Sequence, residues 1–105
     1  MKKLLNFIKN FNAERDWNKF HTPNNLAKSI VLEANELLEF FQFETEVKNK
    51  DGIQEELADV LAYCFDLCIQ LDLDPIDIVY KKYEQNAAKY PVEKAKGSAK
   101  KYNEY

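Results

Sequence analysis

Apolar residues recur along this chain at helical spacing. Leu4, Phe7, Ile8 and Phe11 alternate with Asn and Lys over residues 3–14, which predicts an amphipathic helix. Residues 14–25, ERDWNKFHTPNN, mix aromatic and polar groups and read as a loop. Thr22-Pro23 then supplies a cap and a first-turn proline, with Asn24 or Asn25 as alternative caps. A second helix is expected from about Pro23 to Glu44, with Leu26, Ile30, Ala34, Leu37 and Phe41 as its stripe. Residues 45–52, charged and ending in glycine, make a turn. A third helix should run from about Ile53 to Leu71, its stripe being Ile53, Leu57, Val60, Cys64, Leu67 and Leu71. Asp74-Pro75 starts a fourth, from about Pro75 to Lys89, and Tyr90-Pro91 ends it.

Four acids disturb this pattern. Glu33 and Glu36 form one i, i+3 pair and Glu56 and Asp59 another, so the members of each pair share a helix face. Glu33 falls inside the second helix's apolar stripe, and Glu56 sits beside Ile53 and Val60. Acids that served only solubility would lie on the opposite face. If the two helices are antiparallel neighbours, four carboxylates converge, and their repulsion calls for a cation. Hard oxygen donors suit Mg²⁺, or Mn²⁺ as a substitute, and carboxylate-bound Mg²⁺ commonly engages phosphates. The alternative is a solvated acidic rim. A ferritin-like di-iron bundle is disfavoured, because neither pair ends in histidine.

Composition sharpens the class. Two glycines and three prolines in 105 residues favour long helices over a turn-rich β fold. The expectation is an all-α bundle of four main helices in one domain, residues 1–105, completed by oligomerisation because so short a chain buries a modest core. A net charge of −3 gives no case for nucleic-acid binding, and no apolar run approaches a membrane span. The start, MKKLLNFIKNF, is interrupted by Asn6, Lys9 and Asn10 and makes a poor signal peptide. Cys64 and Cys68 lie one helical turn apart on or beside the stripe, as expected of buried thiols in a cytoplasmic protein.

Other side chains bear on ligands. Lys82, Asn86 and Lys89 share one face of the fourth helix, either as solvated surface or as a phosphate clamp. Residues 92–105 hold Lys94, Lys96, Lys100 and Lys101 around Gly97-Ser98, either as a solubilising tail or as a cationic flap. Trp17, Phe20, Phe43 and Tyr63 are either core or a platform for a planar base. His21 has no nucleophile partner in the sequence and reads as a loop hydrogen-bonding residue.

Together, ERDWNKFHTPNNL, EANELLEFFQFE, QEELADVLAY, KKYEQNAAKYPV and KGSAKKY resemble the MazG-like all-α nucleoside triphosphate pyrophosphohydrolases, in particular their dCTP pyrophosphatase branch. The resemblance spans roughly residues 10–102. It implies cleavage of a nucleoside triphosphate, dCTP or a related deoxynucleotide, to the monophosphate and pyrophosphate. Glu33, Glu36, Glu56 and Asp59 match the family's Mg²⁺ ligands, with Glu33 or Glu36 expected as general base. Trp17, Phe43 and Tyr63 match positions around the base and sugar, and Lys82 and Asn86 match phosphate-holding residues. His21, Lys89 and Lys96 complete the candidate substrate-binding set. The resemblance further implies a homodimer or homotetramer with pockets at subunit interfaces. Phe43 stands where animal members carry tryptophan, and Ile8 where they carry a histidine near the base. The resemblance therefore carries the reaction further than the choice of base.

Overall fold

The computed structural model describes residues 1–43 and 46–97. Four main helices account for most of them: α1 (Lys2–Glu14), α2 (Pro23–Glu39), α3 (Lys50–Gln70) and α4 (Pro75–Lys89). A 3₁₀ turn (Trp17–Lys19) lies between α1 and α2, and a short α5 (Val92–Ala95) follows α4. The described residues contain no strand. The all-α expectation is met, and among the described residues no helix is long and apolar enough to cross a membrane.

Met1–Leu73 forms one compact unit and Asp74–Tyr105 a second. Within the first unit, α2 packs chiefly on α3, and α1 also packs on α3. The helix starts follow from the predicted caps. Thr22 Oγ1 accepts from the Asn25 backbone N–H at 3.3 Å, and Pro23 loses nothing at a position where its N–H would be unbonded. In the second unit, Asp74 Oδ1 accepts from Ile76 N at 2.9 Å and Asp77 N at 3.5 Å, so α4 begins at Pro75 as expected. It ends at Lys89, before Tyr90-Pro91.

The link from α2 to α3 differs from the expectation. α2 ends at Glu39, not near Glu44, which lies outside the described residues together with Thr45. Its ladder tightens into i→i+3 bonds, Phe40 N to Leu37 O at 3.2 Å and Phe41 N to Leu38 O at 2.9 Å. α3 begins three residues early, at Lys50, because the Asn49 side chain caps it by accepting from Gly52 N at 3.0 Å. Gly52 is therefore part of the first turn of α3. A Cβ there would lie 2.7 Å from the Phe40 ring, so its missing side chain is what lets that ring close onto α3. Aromatic runs such as Phe40-Phe41 keep the helical apolar period yet lose side-chain freedom in a helix, which is why the stripe ran past the true end. The α5 turn was not anticipated.

Burial is thinner than the stripes implied. Leu26, 1% exposed, is the fully buried apolar residue among those described. Ala34, Phe41, Leu57 and Leu71, all assigned to stripes, are exposed. Cys64 and Cys68 are half-buried rather than buried. Two or three helices can surround only one seam, so the outer flank of each stripe stays open.

Candidate functional site

α2 and α3 bring the acids together. Carboxylate oxygens of Glu33, Glu56 and Asp59 all lie within 4.8 Å of one another. Glu33 and Glu56 are half-buried, and Asp59 is exposed at the edge. Glu33 Oε2 and Glu56 Oε2 are buried and, among the described residues, face no donor other than a proton shared between the carboxyls themselves. Glu36 is exposed and falls outside that set of oxygens, although its charge is felt by both Glu33 and Glu56.

The electrostatics follow from that crowding. The Glu33 carboxyl is pushed up from 4.5 to about 7, first by burial, then by hydrogen bonding with Glu56 and Glu36 and by their charges. The Glu56 carboxyl is also raised, mainly by burial, although a proton offered by Glu33 works the other way. The cluster can thus relieve itself only by sharing a proton. A divalent cation would relieve it better. Three hard oxygen donors, two of them buried with no donor among the described residues beyond the carboxyls themselves, fit Mg²⁺ or Mn²⁺.

A cavity of about 290 Å³ adjoins this cluster within the same unit. Its walls are Phe7, Ile8 and Phe11 from α1, Trp17 and His21 from the loop, and Asp59, Ala62 and Tyr63 from α3; Asn12 and Asp66 complete it. The rings run in sequence. Phe7 and Phe11 are 6.4 Å apart, Phe11 meets Trp17 edge-on at 5.6 Å, Trp17 meets His21 at 6.3 Å and His21 meets Tyr63 at 6.4 Å. The Arg15 guanidinium sits 3.6 Å over Phe11, which braces the α1 end of this series. Asp59 belongs both to the acid cluster and to the cavity wall. The Tyr63 hydroxyl is held protonated by burial first, then by the charges of Glu33, Asp59 and Asp66, so it stays a hydrogen-bond donor.

Trp17, His21 and Tyr63 are therefore gathered with the acids. Phe43 stands 89% exposed after α2, away from the cavity lining. Lys82, Asn86 and Lys89 lie on α4 and Lys96 follows α5, all in the second unit; Asn86 is half-buried. Ser98, Lys100 and Lys101 of the tail lie outside the described residues.

Phe7, Phe11 and Ala62 line the cavity without having been singled out from the sequence as site residues, and two polar site residues were missed as well. Asp66 is 7% exposed and Asn12 6%, and Asn12 Nδ2 donates to Asp66 Oδ1 at 2.8 Å. The signal was there in the spacing. Glu56, Asp59, Tyr63 and Asp66 fall at i, i+3, i+7 and i+10, one face of α3 running about 15 Å from the acid cluster to the cavity.

Among the described residues, all in helices, turns and links, two adjacent helices gather acids beside an aromatic cavity, an arrangement that offers hard oxygens and flat apolar walls side by side. A MazG-like family profile matches residues 28–105, and the chain belongs to that family. It is 39% identical over 103 residues to dCTP pyrophosphatase 1 of Mus musculus and 38% identical to that of Homo sapiens, in each case covering 90% of this chain and 61% of the relative. The chain thus spans less than two thirds of the length of those relatives. Among solved structures, a pyrophosphatase from Archaeoglobus fulgidus is 41% identical with a TM-score of 0.82, covering 87% of this chain and 92% of that one.

Proposed function

We propose that this protein is a Mg²⁺-dependent nucleoside triphosphate pyrophosphohydrolase acting on dCTP or a related deoxynucleotide. The observation that carries the reading is Asp59, which joins a three-carboxylate cluster to an aromatic cavity of base-holding size. Relatives named as dCTP pyrophosphatases support it.

Glu33, Glu56 and Asp59 would hold the cation, with Glu36 at the rim as the fourth acid. Bound there, Mg²⁺ supplies charge neutralisation for the phosphates and lowers the cost of deprotonating a water. The remaining chemistry belongs to the chain. Glu33 or Glu36 takes the proton of a water as its oxygen bonds to the α phosphorus. The bond from that phosphorus to the α–β bridging oxygen breaks, and pyrophosphate leaves. Trp17 and Tyr63 present ring edges and faces to the base. We assign phosphate holding to Lys82, Asn86, Lys89 and Lys96, and a covering role at the sugar to Phe43. Residues 1–105 would act as one domain, with 92–105 as its lysine-rich tail, in the cytoplasm. Val31 and Leu32, 68% and 64% exposed on α2, are suited to a homodimer or homotetramer interface.

The test is pyrophosphate release by the purified chain with Mg²⁺ across a panel of nucleoside triphosphates. Turnover with dCTP among the best substrates, lost in Glu36→Gln with unchanged circular dichroism, is the expected result. No pyrophosphate from any nucleotide would overturn the reading. Equal turnover of all bases would remove only the dCTP preference.

A further inference from the structure

We propose that Asp66 selects the base: its carboxylate, set by Asn12, accepts a hydrogen bond from the exocyclic amine of an amino-bearing pyrimidine in the cavity. This inference rests on the nucleotide reading above and deepens it.

Asp66 is the buried acid among the described residues, and nothing in the reaction uses it. A carboxylate so placed ordinarily has a strong cationic partner. Here the basic side chain that faces it is His21, whose Nδ1 lies 3.9 Å from Asp66 Oδ2, too far for a hydrogen bond. That Nδ1 is itself buried and has no hydrogen-bond partner among the described residues. Oδ1, by contrast, is engaged by Asn12 Nδ2 at 2.8 Å. Asn12 therefore orients the carboxylate, and leaves one acceptor beside one unsatisfied imidazole nitrogen on the same cavity wall.

A buried polar atom without a partner calls for an explanation, and on a cavity wall a bound group supplies one. The ligand that completes this pair offers a donor to Oδ2 and meets aromatic walls with its faces. A cytosine-type ring does so through its 4-amino group. A uracil-type ring turned the same way sets a carbonyl oxygen against the carboxylate, which repels it. One charge-assisted hydrogen bond at a half-enclosed site corresponds to about ten- to a hundredfold in affinity.

Trp17, the only tryptophan, lines the cavity and reports occupancy by fluorescence. The full chain with Mg²⁺ is titrated with dCMP and with dUMP, as wild type and as Asp66→Asn. Wild type should bind dCMP at least tenfold more tightly than dUMP. Asp66→Asn should bring the two within about threefold, with most of the change on the dCMP side. Equal affinities in the wild type, no binding of either, or an unchanged ratio in a folded Asp66→Asn would overturn the inference. The wild-type ratio is decisive even if that variant does not fold. Selective dCMP binding by a chain that releases no pyrophosphate would leave base selection standing and remove the hydrolysis.

Discussion

Replacing Asn12 with alanine isolates the tie between α1 and α3. The change removes a 2.8 Å bond from an amide to a carboxylate and leaves Asp66 buried with only a 3.9 Å approach to His21. A hydrogen bond to a charged group contributes about 1.5–3 kcal/mol net, and stranding the charge puts the expected loss near about 2 kcal/mol. In a chain of this size that lowers Tm by about 10 °C. The loss should also depend on pH. Burial raises the Asp66 carboxyl, while His21 and the Asn12 hydrogen bond oppose the rise. Without Asn12 the folded value climbs further. A raised folded pKa destabilises the fold when the group is ionised, so that cost fades as pH falls toward the ordinary carboxylate range. The gap between wild type and Asn12→Ala should therefore be widest near pH 8 and shrink on acidification.

The assay is urea unfolding at several pH values, repeated in a His21→Asn background that removes the facing imidazole. An Asp66→Ala partner closes a double-mutant cycle, with an expected coupling of about 1–2 kcal/mol. A gap that stays constant with pH, or a coupling below about 0.5 kcal/mol, would refute the assignment of that bond as a charged tie.

Metal removal should make stability pH-dependent through Glu33. Its folded pKa of about 7 lies above the ordinary 4.5, so its contribution is full below the unfolded value and lost as pH rises through about 7. Scanning calorimetry of the metal-free chain should show Tm falling from pH 5 to 8, with saturating Mg²⁺ removing most of the fall; no Mg²⁺ effect at pH 8 counts against the cluster. Thr22→Ala and Asp74→Ala should each cost about 1 kcal/mol in denaturant melts, the latter the more because its 2.9 Å bond to Ile76 is shorter than the 3.3 Å cap at Thr22. Trp17→Ala should raise KM for the nucleotide about tenfold or more with a smaller effect on kcat, as loss of stacking worth about 1–3 kcal/mol requires; unchanged KM would place the base elsewhere.

The starts of α2 and α4 were legible because each rests on a local device, Thr22 or Asp74 before a proline, that needs no tertiary partner, whereas the Asn49 cap of α3 lay inside a stretch read as turn. The acid cluster was legible because Glu33 and Glu56 interrupt apolar stripes, a conflict visible in spacing alone. The end of α2 was not, since Phe40 leaves the helix to meet Gly52, and that contact joins residues twelve apart. Asp66 was hidden for the same reason. Its partner Asn12 is 54 residues away and looks like one more polar residue on the outer face of α1. Phe7 and Phe11 read only as the apolar face of an amphipathic helix, because an aromatic stripe has the same period whether it meets a protein neighbour or a ligand.

The two ends of the site depend on different helix pairs. The acid cluster needs α2 against α3, since Glu33 comes from one and Glu56 and Asp59 from the other. The cavity needs α1 against α3, through Phe7, Phe11 and the Asn12–Asp66 bond. Only α3 serves both, with Glu56, Asp59, Tyr63 and Asp66 along one rigid face. In the proposed reading the distance between cation and base would be set along one helix, whereas each end can loosen separately. Asn12→Ala should accordingly weaken dCMP quenching of Trp17 while leaving the Mg²⁺ stabilisation in place. Loss of both together would mean that α1 supports the acid cluster as well, and that the site is one cooperative unit rather than two ends on a shared ruler.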